Sequence, residues 1–146
     1  REDRSGAGVE ERLIALGFVV ERRVVPDERD ALESALREAV ERAPLVVTTG
    51  GTGLTPRDVT PEATRAVLDY EVPGIAEAMR EAGRRSTPMA SLSRAIAGVA
   101  GRSLIVNLPG SPRGATESLD AIAAILGHAL DTLAGPYDHE HRGRPA

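Results

Sequence analysis

Apolar residues in the first stretch of the chain recur at helical spacing: Val9, Leu13 and Leu16 share one face of a helix predicted from Gly6 to Leu16, which Gly17 is placed to end. The pattern then changes. "FVVERRVV", residues 18–25, predicts a strand rich in β-branched positions. Asp27 stands where a helix N-cap would, and "ERDALESALREAVER" returns to period 3.6, with Leu32, Ala35, Leu36, Ala39 and Val40 on one stripe. After Pro44, "LVVTT" is a short continuous apolar run of the kind buried on both faces of a parallel sheet. Helix, strand, helix, strand is the signature of a parallel α/β arrangement.

The second half repeats these periods with different punctuation. Thr60 as N-cap and Pro61 at the first helical position predict a short helix reaching about Tyr70, and "PGIAEAMREAG" predicts another from Pro73. "RRSTPMASLS" has no period and reads as an irregular loop. "RAIAGVAGRSLIVNLPG" predicts an antiparallel hairpin turning at Ala100-Gly101. A long final helix carries Leu119, Ile122, Leu126, Ala129 and Leu133 on one stripe, and "GPYDHEHRGRPA" is a polar tail. Residues 1–135 are expected to form one domain, with 136–146 as the tail. The opening "REDRSG" is a charged loop leading straight into a helix. In an alternating α/β chain such a loop follows a strand, so a strand of roughly ten residues is expected ahead of Arg1.

Composition narrows the chemistry. Among 146 residues only Phe18, Tyr70 and Tyr137 are aromatic, so the core is built from Val, Leu, Ile and Ala. There is no cysteine, which removes disulfides, thiolate zinc sites and cysteine nucleophiles and fits a reducing cytoplasm. The net charge of -4 gives no reason to expect nucleic acid or an anionic membrane as partner, and no apolar run is long enough to span a bilayer or serve as a signal-peptide core. All 18 basic residues are arginine, so any phosphate-binding side-chain cation is a guanidinium.

In a parallel sheet the strands end at one edge, and ligands bind in the crevice beyond it. Asp27, the loop Gly50-Gly51-Thr52-Gly53 and "NLPGSPRG" each follow a predicted strand and should face one crevice. The glycine loop matches neither a P-loop, which needs a lysine, nor the dinucleotide fingerprint, which needs a third glycine where Pro56 stands. Consecutive glycines still let a backbone approach an oxyanion and turn N–H groups inward, and Thr49 and Thr52 add hydroxyls; the plain alternative is a tight turn. Asp58 beside a phosphate loop points to Mg²⁺, which takes one or two carboxylates together with phosphate oxygens and water. Its alternative is a turn residue, as Asp27's is a helix cap. "NLPGSPRG" holds the chain's only asparagine, Asn107, with Pro109, Gly110, Ser111, Arg113 and Gly114, a rigid loop suited to a flat polar ligand or else to a simple strand-to-helix connection.

Other candidates are weaker. Glu77 and Arg80, three apart on a helix, read as a surface ion pair. Ser91 and Ser93 lie in a loop with no histidine placed to activate them as nucleophiles. His139, Glu140 and His141 lack a third ordered ligand, and His128 is assigned no role.

"TTGGTG…PRDVTPEA", "PGIAEAMR", "SLSRA" and "LIVNLPGSPRG", in this order over Arg1 to about Leu133, resemble the MogA/MoaB family of molybdopterin adenylyltransferases, which includes the G domain of gephyrin. The resemblance implies a three-layer α/β/α sandwich with a mainly parallel, Rossmann-like sheet, a first strand ending in a Thr-Val-Ser-Asp-like segment, and a homo-oligomer, trimer or hexamer. It also implies Mg-ATP-dependent adenylylation of molybdopterin with release of pyrophosphate, and hand-over to a molybdenum-insertion protein. By motif, Asp58 and Asp27 match acidic residues tied to magnesium and catalysis. Gly50 to Gly53 match a phosphate-binding loop, Asn107 to Gly114 a loop contacting nucleotide and pterin, and Ser91 and Ser93 fall in a matching substrate segment. Two alternatives stay open: a non-catalytic molybdopterin-binding or scaffold homologue, and a ligand-binding module of the insertion proteins.

Overall fold

The computed structural model describes residues 3–136. The tail histidines His139 and His141, with Glu140, lie outside the described residues, as do Arg1 and Glu2. Helix α1 (Arg4–Ala15) starts where the Asp3 carboxylate accepts a hydrogen bond from the Gly6 amide at 3.0 Å. It buries Val9 and Leu13 but leaves Leu16 half exposed, because the chain turns away through Gly17 at a left-handed φ of 98°. Helix α2 (Arg29–Arg42) follows, with Glu28 rather than Asp27 at its N-cap and no side-chain cap. Strand β1 (Leu45–Thr49) leads to α3 (Thr60–Val67), the two-residue strand β2 (Tyr70–Glu71) and α4 (Pro73–Arg84). A short 3-10 turn at Pro88–Leu92 breaks up the expected irregular loop. Then come β3 (Ala97–Ala100), β4 (Ser103–Leu108) and α5 (Pro112–Ala134).

The strands form one sheet in the order β1-β4-β3-β2. β1 and β4 run parallel, from Leu45 opposite Leu104 to Thr49 opposite Leu108. β3 and β4 form the expected antiparallel hairpin, turning at Gly101 with φ 61°, and β2 pairs antiparallel with β3. α3 ends at Val67, short of Tyr70, because Asp69 and Val72 bond back to the carbonyls of Val99 and Ala97 and pull Tyr70 and Glu71 into the sheet.

Two faces of the sheet are covered, giving three layers. On one face Val9 and Leu13 of α1, Ile75 and Met79 of α4, and Leu119, Ile122 and Leu126 of α5 pack on Leu104, Val106 and Leu108. On the other, Leu36 of α2 and Val67 of α3 pack on Ile105 and Ala100. Small residues on the strands let the helices approach closely, as a core without large rings requires.

Residues 18–25 correct the sequence reading. They pair with no strand among the described residues, with Val19 fully exposed and Val24 largely so. β-branched alternation encodes an extended backbone, whereas a strand exists only through a ladder with a neighbour. The sheet is consequently mixed, its parallel ladder confined to β1 and β4. β1 lies at the sheet's edge and is only half-buried, not enclosed on both faces as its apolar run suggested.

Candidate functional site

Because β1 and β4 are parallel neighbours, the loops that follow Thr49 and Leu108 leave the sheet side by side. They touch through glycines. The Gly50 amide donates to the Leu108 carbonyl at 3.0 Å, and a Cβ on Gly110 would stand 3.2 Å from the Cα of Gly50. A side chain on Gly110 would crowd that contact, whereas a Cβ on Gly50 would meet Gly110 at an ordinary 3.8 Å. Gly50 and Gly51 have φ of 87° and 69°, in the left-handed region, and a Cβ on Gly51 would collide with the Thr60 hydroxyl. The Gly51 carbonyl accepts from the Thr60 amide at 3.1 Å, which ties the loop to the start of α3.

The amides of Gly51 and Thr52 donate to no acceptor among the described residues, although Thr52 is buried. Buried backbone donors are nearly always paired, so adjacent unpaired amides in a left-handed glycine turn form a cradle for an anion.

Arg94 holds this cradle from behind, and sequence reasoning missed it. Its amide donates to the Thr52 carbonyl (2.9 Å), its Nε to the Gly53 carbonyl (2.8 Å) and its Nη2 to the Asp58 carbonyl (2.7 Å). The same guanidinium pairs with Glu62 at 2.6 Å, raising the arginine's pKa and lowering the carboxylate's. The sequence signal was its place in the "SLSRA" motif at the start of the predicted hairpin, 41 positions from Gly53.

Asp58 closes the loop on itself. Its Oδ2 accepts from the Thr55 hydroxyl at 2.8 Å and the Thr55 amide at 3.0 Å. These bonds, hydroxyl first, hold its pKa below the ordinary value, with a smaller contribution from the Gly53 backbone. Oδ1 stands clear of the Thr55 bonds and can accept a cation. Asp27 is exposed at the bend before α2, and no hydrogen bond or ion pair joins it to the Asp58 loop.

The remaining expected residues divide. Thr52, Gly53, Ser93, Pro109, Ser111 and Gly114 line one cavity of about 290 Å³. Within it Ser111 caps α5 by accepting from the Gly114 amide, and the Ser93 hydroxyl accepts from the Ala95 amide. Thr49 stays on β1 opposite Leu108. Asn107 does not face the crevice. It is fully buried, donates through Nδ2 to Thr48 and Thr64, each at 3.0 Å, and accepts from the Ile96 amide at 3.2 Å. Its side chain clamps β1, α3 and the approach to β3. Ser91 is exposed in the 3-10 turn and lies outside the cavity lining. Arg113 is also exposed and pairs with Glu117 at 3.4 Å. Arg80 departs from the surface pair expected with Glu77: its Nη1 donates inward to the carbonyls of Ser93 (3.2 Å) and Ala95 (2.9 Å), on the cavity wall.

No cluster of three or more metal-binding side chains exists among the described residues, so these residues do not build a complete metal cage. A carboxylate oxygen beside an amide cradle fits the sparser requirement of Mg²⁺, which completes its shell with phosphate oxygens and water.

The sequence profile of a family described as a probable molybdopterin binding domain matches residues 1–128. The chain is 41% identical over 143 residues to a molybdopterin adenylyltransferase of Helicobacter pylori, covering 93% of this chain and 80% of that protein. It is 45% identical over 112 residues to the molybdenum cofactor synthesis protein cinnamon of Drosophila melanogaster, covering 75% of this chain but only 19% of the longer relative. Among solved structures it superposes on the molybdopterin biosynthesis enzyme MoaB of Thermus thermophilus with a TM-score of 0.86 and 50% identity, covering 94% and 89% of the two chains.

Proposed function

The chain belongs to the MogA/MoaB family of molybdopterin-binding domains, and on that premise we propose that it adenylylates molybdopterin in molybdenum cofactor biosynthesis, with Mg-ATP as donor and pyrophosphate as product. The carrying observation is the pair of unpaired amides at Gly51 and Thr52, set where the two parallel strands end and beside the Asp58 carboxylate.

In this reading an oxygen of molybdopterin's terminal phosphate attacks the α-phosphorus of ATP. A new P–O bond forms as the bond to the departing pyrophosphate breaks. The Gly51 and Thr52 amides hold phosphate oxygens, and because the loop is already fixed by Arg94 and Thr60, they need no reorganisation as charge shifts. Asp58, with Asp27 as the second expected carboxylate, would hold magnesium, which would supply charge neutralisation at the phosphates. The depressed pKa of Asp58 keeps its carboxylate ionised throughout the neutral range.

The same reading extends to the setting. A homo-oligomer, trimer or hexamer, fits the exposed Ile14, Leu16, Leu54 and Ile125. A cytoplasmic site fits the absence of cysteine, and hand-over to a molybdenum-insertion protein follows from a product that is an activated intermediate.

Pyrophosphate release from Mg-ATP in the presence of molybdopterin tests the assignment. Turnover is expected in the wild type and a loss of at least about a hundredfold in Asp58→Ala. Absence of wild-type turnover alongside tight molybdopterin binding would instead establish the second reading, a non-catalytic binding homologue. What favours that second reading is that Asp27 is exposed and that no group of three or more His, Asp or Glu side chains gathers among the described residues.

A further inference from the structure

The Thr60 hydroxyl, expected to cap α3, does not cap it. The cap position falls to Val59, no side chain caps the helix, and Pro61 directly after Thr60 has no N–H to offer. Thr60 is only 3% exposed, yet its hydroxyl makes no hydrogen bond among the described residues. Nearly every polar group so placed in a folded protein has a partner, so an unused one points to a ligand. The hydroxyl is not sealed in the core either. Among the described residues every enclosed side-chain polar atom has a partner, so this one is open to a molecule arriving from outside.

Its position is fixed by the glycine loop. The Thr60 amide donates to the Gly51 carbonyl at 3.1 Å, and Oγ1 lies in the space that a Cβ on Gly51 would need. Gly51 is thus glycine for its left-handed φ of 69° and for the room it leaves this hydroxyl. Three donors gather on one turn: the Gly51 amide, the Thr52 amide and the Thr60 hydroxyl, none with an acceptor among the described residues. The acceptors of the loop are already committed. The Gly51 carbonyl takes the Thr60 amide, the Thr52, Gly53 and Asp58 carbonyls take Arg94, and Asp58 Oδ2 takes Thr55. Neutral donors without acceptors select an oxyanion, whose oxygen has lone pairs for several of them at once, over a cation.

We propose that Thr60 binds phosphate directly, its hydroxyl donating to the phosphate oxygen that the Gly51 and Thr52 amides hold. This rests on the reading of the glycine loop as an anion cradle. It brings the first residue of α3 into the site as a binding group rather than a helix cap. The hydroxyl adds a donor without adding charge, and it is delivered from a helix N-terminus, where the backbone dipole also favours an anion.

The test pairs calorimetric binding of inorganic pyrophosphate, in metal-free buffer, and of Mg-ATP with thermal unfolding of the full chain. Thr60→Val keeps the shape and removes the hydroxyl, whereas Thr60→Ser keeps the hydroxyl and removes a methyl. A hydroxyl that serves the ligand moves the two readouts in opposite directions. Thr60→Val is expected to weaken both ligands about tenfold to hundredfold while its Tm is unchanged or raised, because no hydrogen bond of the fold is lost. Thr60→Ser is expected to bind both within about threefold of the wild type while its Tm falls by roughly 2–5 °C. Unchanged affinity in Thr60→Val, or a Tm loss there larger than in Thr60→Ser, would overturn the proposal. Failure of Thr60→Val to fold would do the same, since it would give the hydroxyl to the fold. Loss for Mg-ATP alone, with pyrophosphate unaffected, would make the hydroxyl a metal ligand and overturn it too. No pyrophosphate binding by the wild type would remove the cradle and this proposal with it. Phosphate binding that depends on the Thr60 hydroxyl, without pyrophosphate release from Mg-ATP and molybdopterin, would support the proposal and sink the transferase reading alone.

Discussion

Replacing Asn107 with alanine tests whether this residue serves the fold or the ligand. Its amide is fully buried and satisfies three groups: the Ile96 amide, and the hydroxyls of Thr48 and Thr64. Thr48 is half-buried and can turn to water, and Thr64, on α3, can swing its hydroxyl to a carbonyl one helical turn back. The Ile96 N–H can do neither and is left unpaired, at about 1–3 kcal/mol. Removing a fully enclosed side chain adds a void whose cost for this size of group is about 2 kcal/mol, so the total is roughly 3–5 kcal/mol. For a chain of this length that lowers Tm by roughly 6–20 °C. Asn107→Asp supplies a sharper control, because it keeps the shape but buries an ionisable group. Burial raises that group's folded pKa above its unfolded value near 4, so the variant holds its stability below about pH 4 and loses it as pH rises through the raised pKa. The assay is thermal unfolding from pH 3 to 8 with parallel measurement of molybdopterin KM. A Tm shift under about 3 °C in Asn107→Ala together with a tenfold rise in KM would refute the structural role and return Asn107 to the ligand.

Further expectations concern the loops around the cradle. Gly51→Ala should be more destabilising than Gly50→Ala by about 1–2 kcal/mol in urea unfolding, since both force alanine into the left-handed region but only the first drives a Cβ into Thr60; equal midpoints would contradict this. Arg94→Lys should lower kcat/KM for pyrophosphate release by about tenfold, because a single ammonium cannot serve Gly53, Asp58 and Glu62 together; full activity would remove Arg94 from loop positioning. Asp58 and Glu62 both have folded pKa values below their unfolded ones, so the stability they contribute is present above about pH 4 and is lost as pH falls through the lower folded values. Tm measured from pH 2 to 6 should fall less steeply in Glu62→Gln than in the wild type, and parallel curves would show that the Arg94 pair does not drive acid unfolding.

The helices, β1 and the hairpin were legible because each rests on a local period: apolar spacing on α2 and α5, a run of β-branched residues at 45–49, a glycine at the turn. Residues 18–25 carry the same local signal as β1 and still stand outside the sheet, because pairing depends on what lies alongside and not on the segment itself. The site shows the same division. The glycine loop and "NLPG" were readable as neighbours, since parallel strands must end together, and Gly50 against Gly110 is that rule made into a contact. The side chains that give the loops their shape were not, because Arg94 and Asn107 act across 41 and 59 positions of sequence.

That distance bears on how the site works. A lysine P-loop carries its charge in the loop that wraps the phosphate, whereas here the cation, the Arg94 guanidinium, comes from outside the loop and is committed to the Gly53 and Asp58 carbonyls and to Glu62, while the Arg94 backbone amide takes the Thr52 carbonyl. The carbonyls that would repel an anion are thereby satisfied. The amides of Gly51 and Thr52 are left as the groups that face it. Committing the guanidinium to the loop carbonyls fixes the loop without leaving a free cation in it, which on the proposed reaction suits a site that releases pyrophosphate as well as binding ATP.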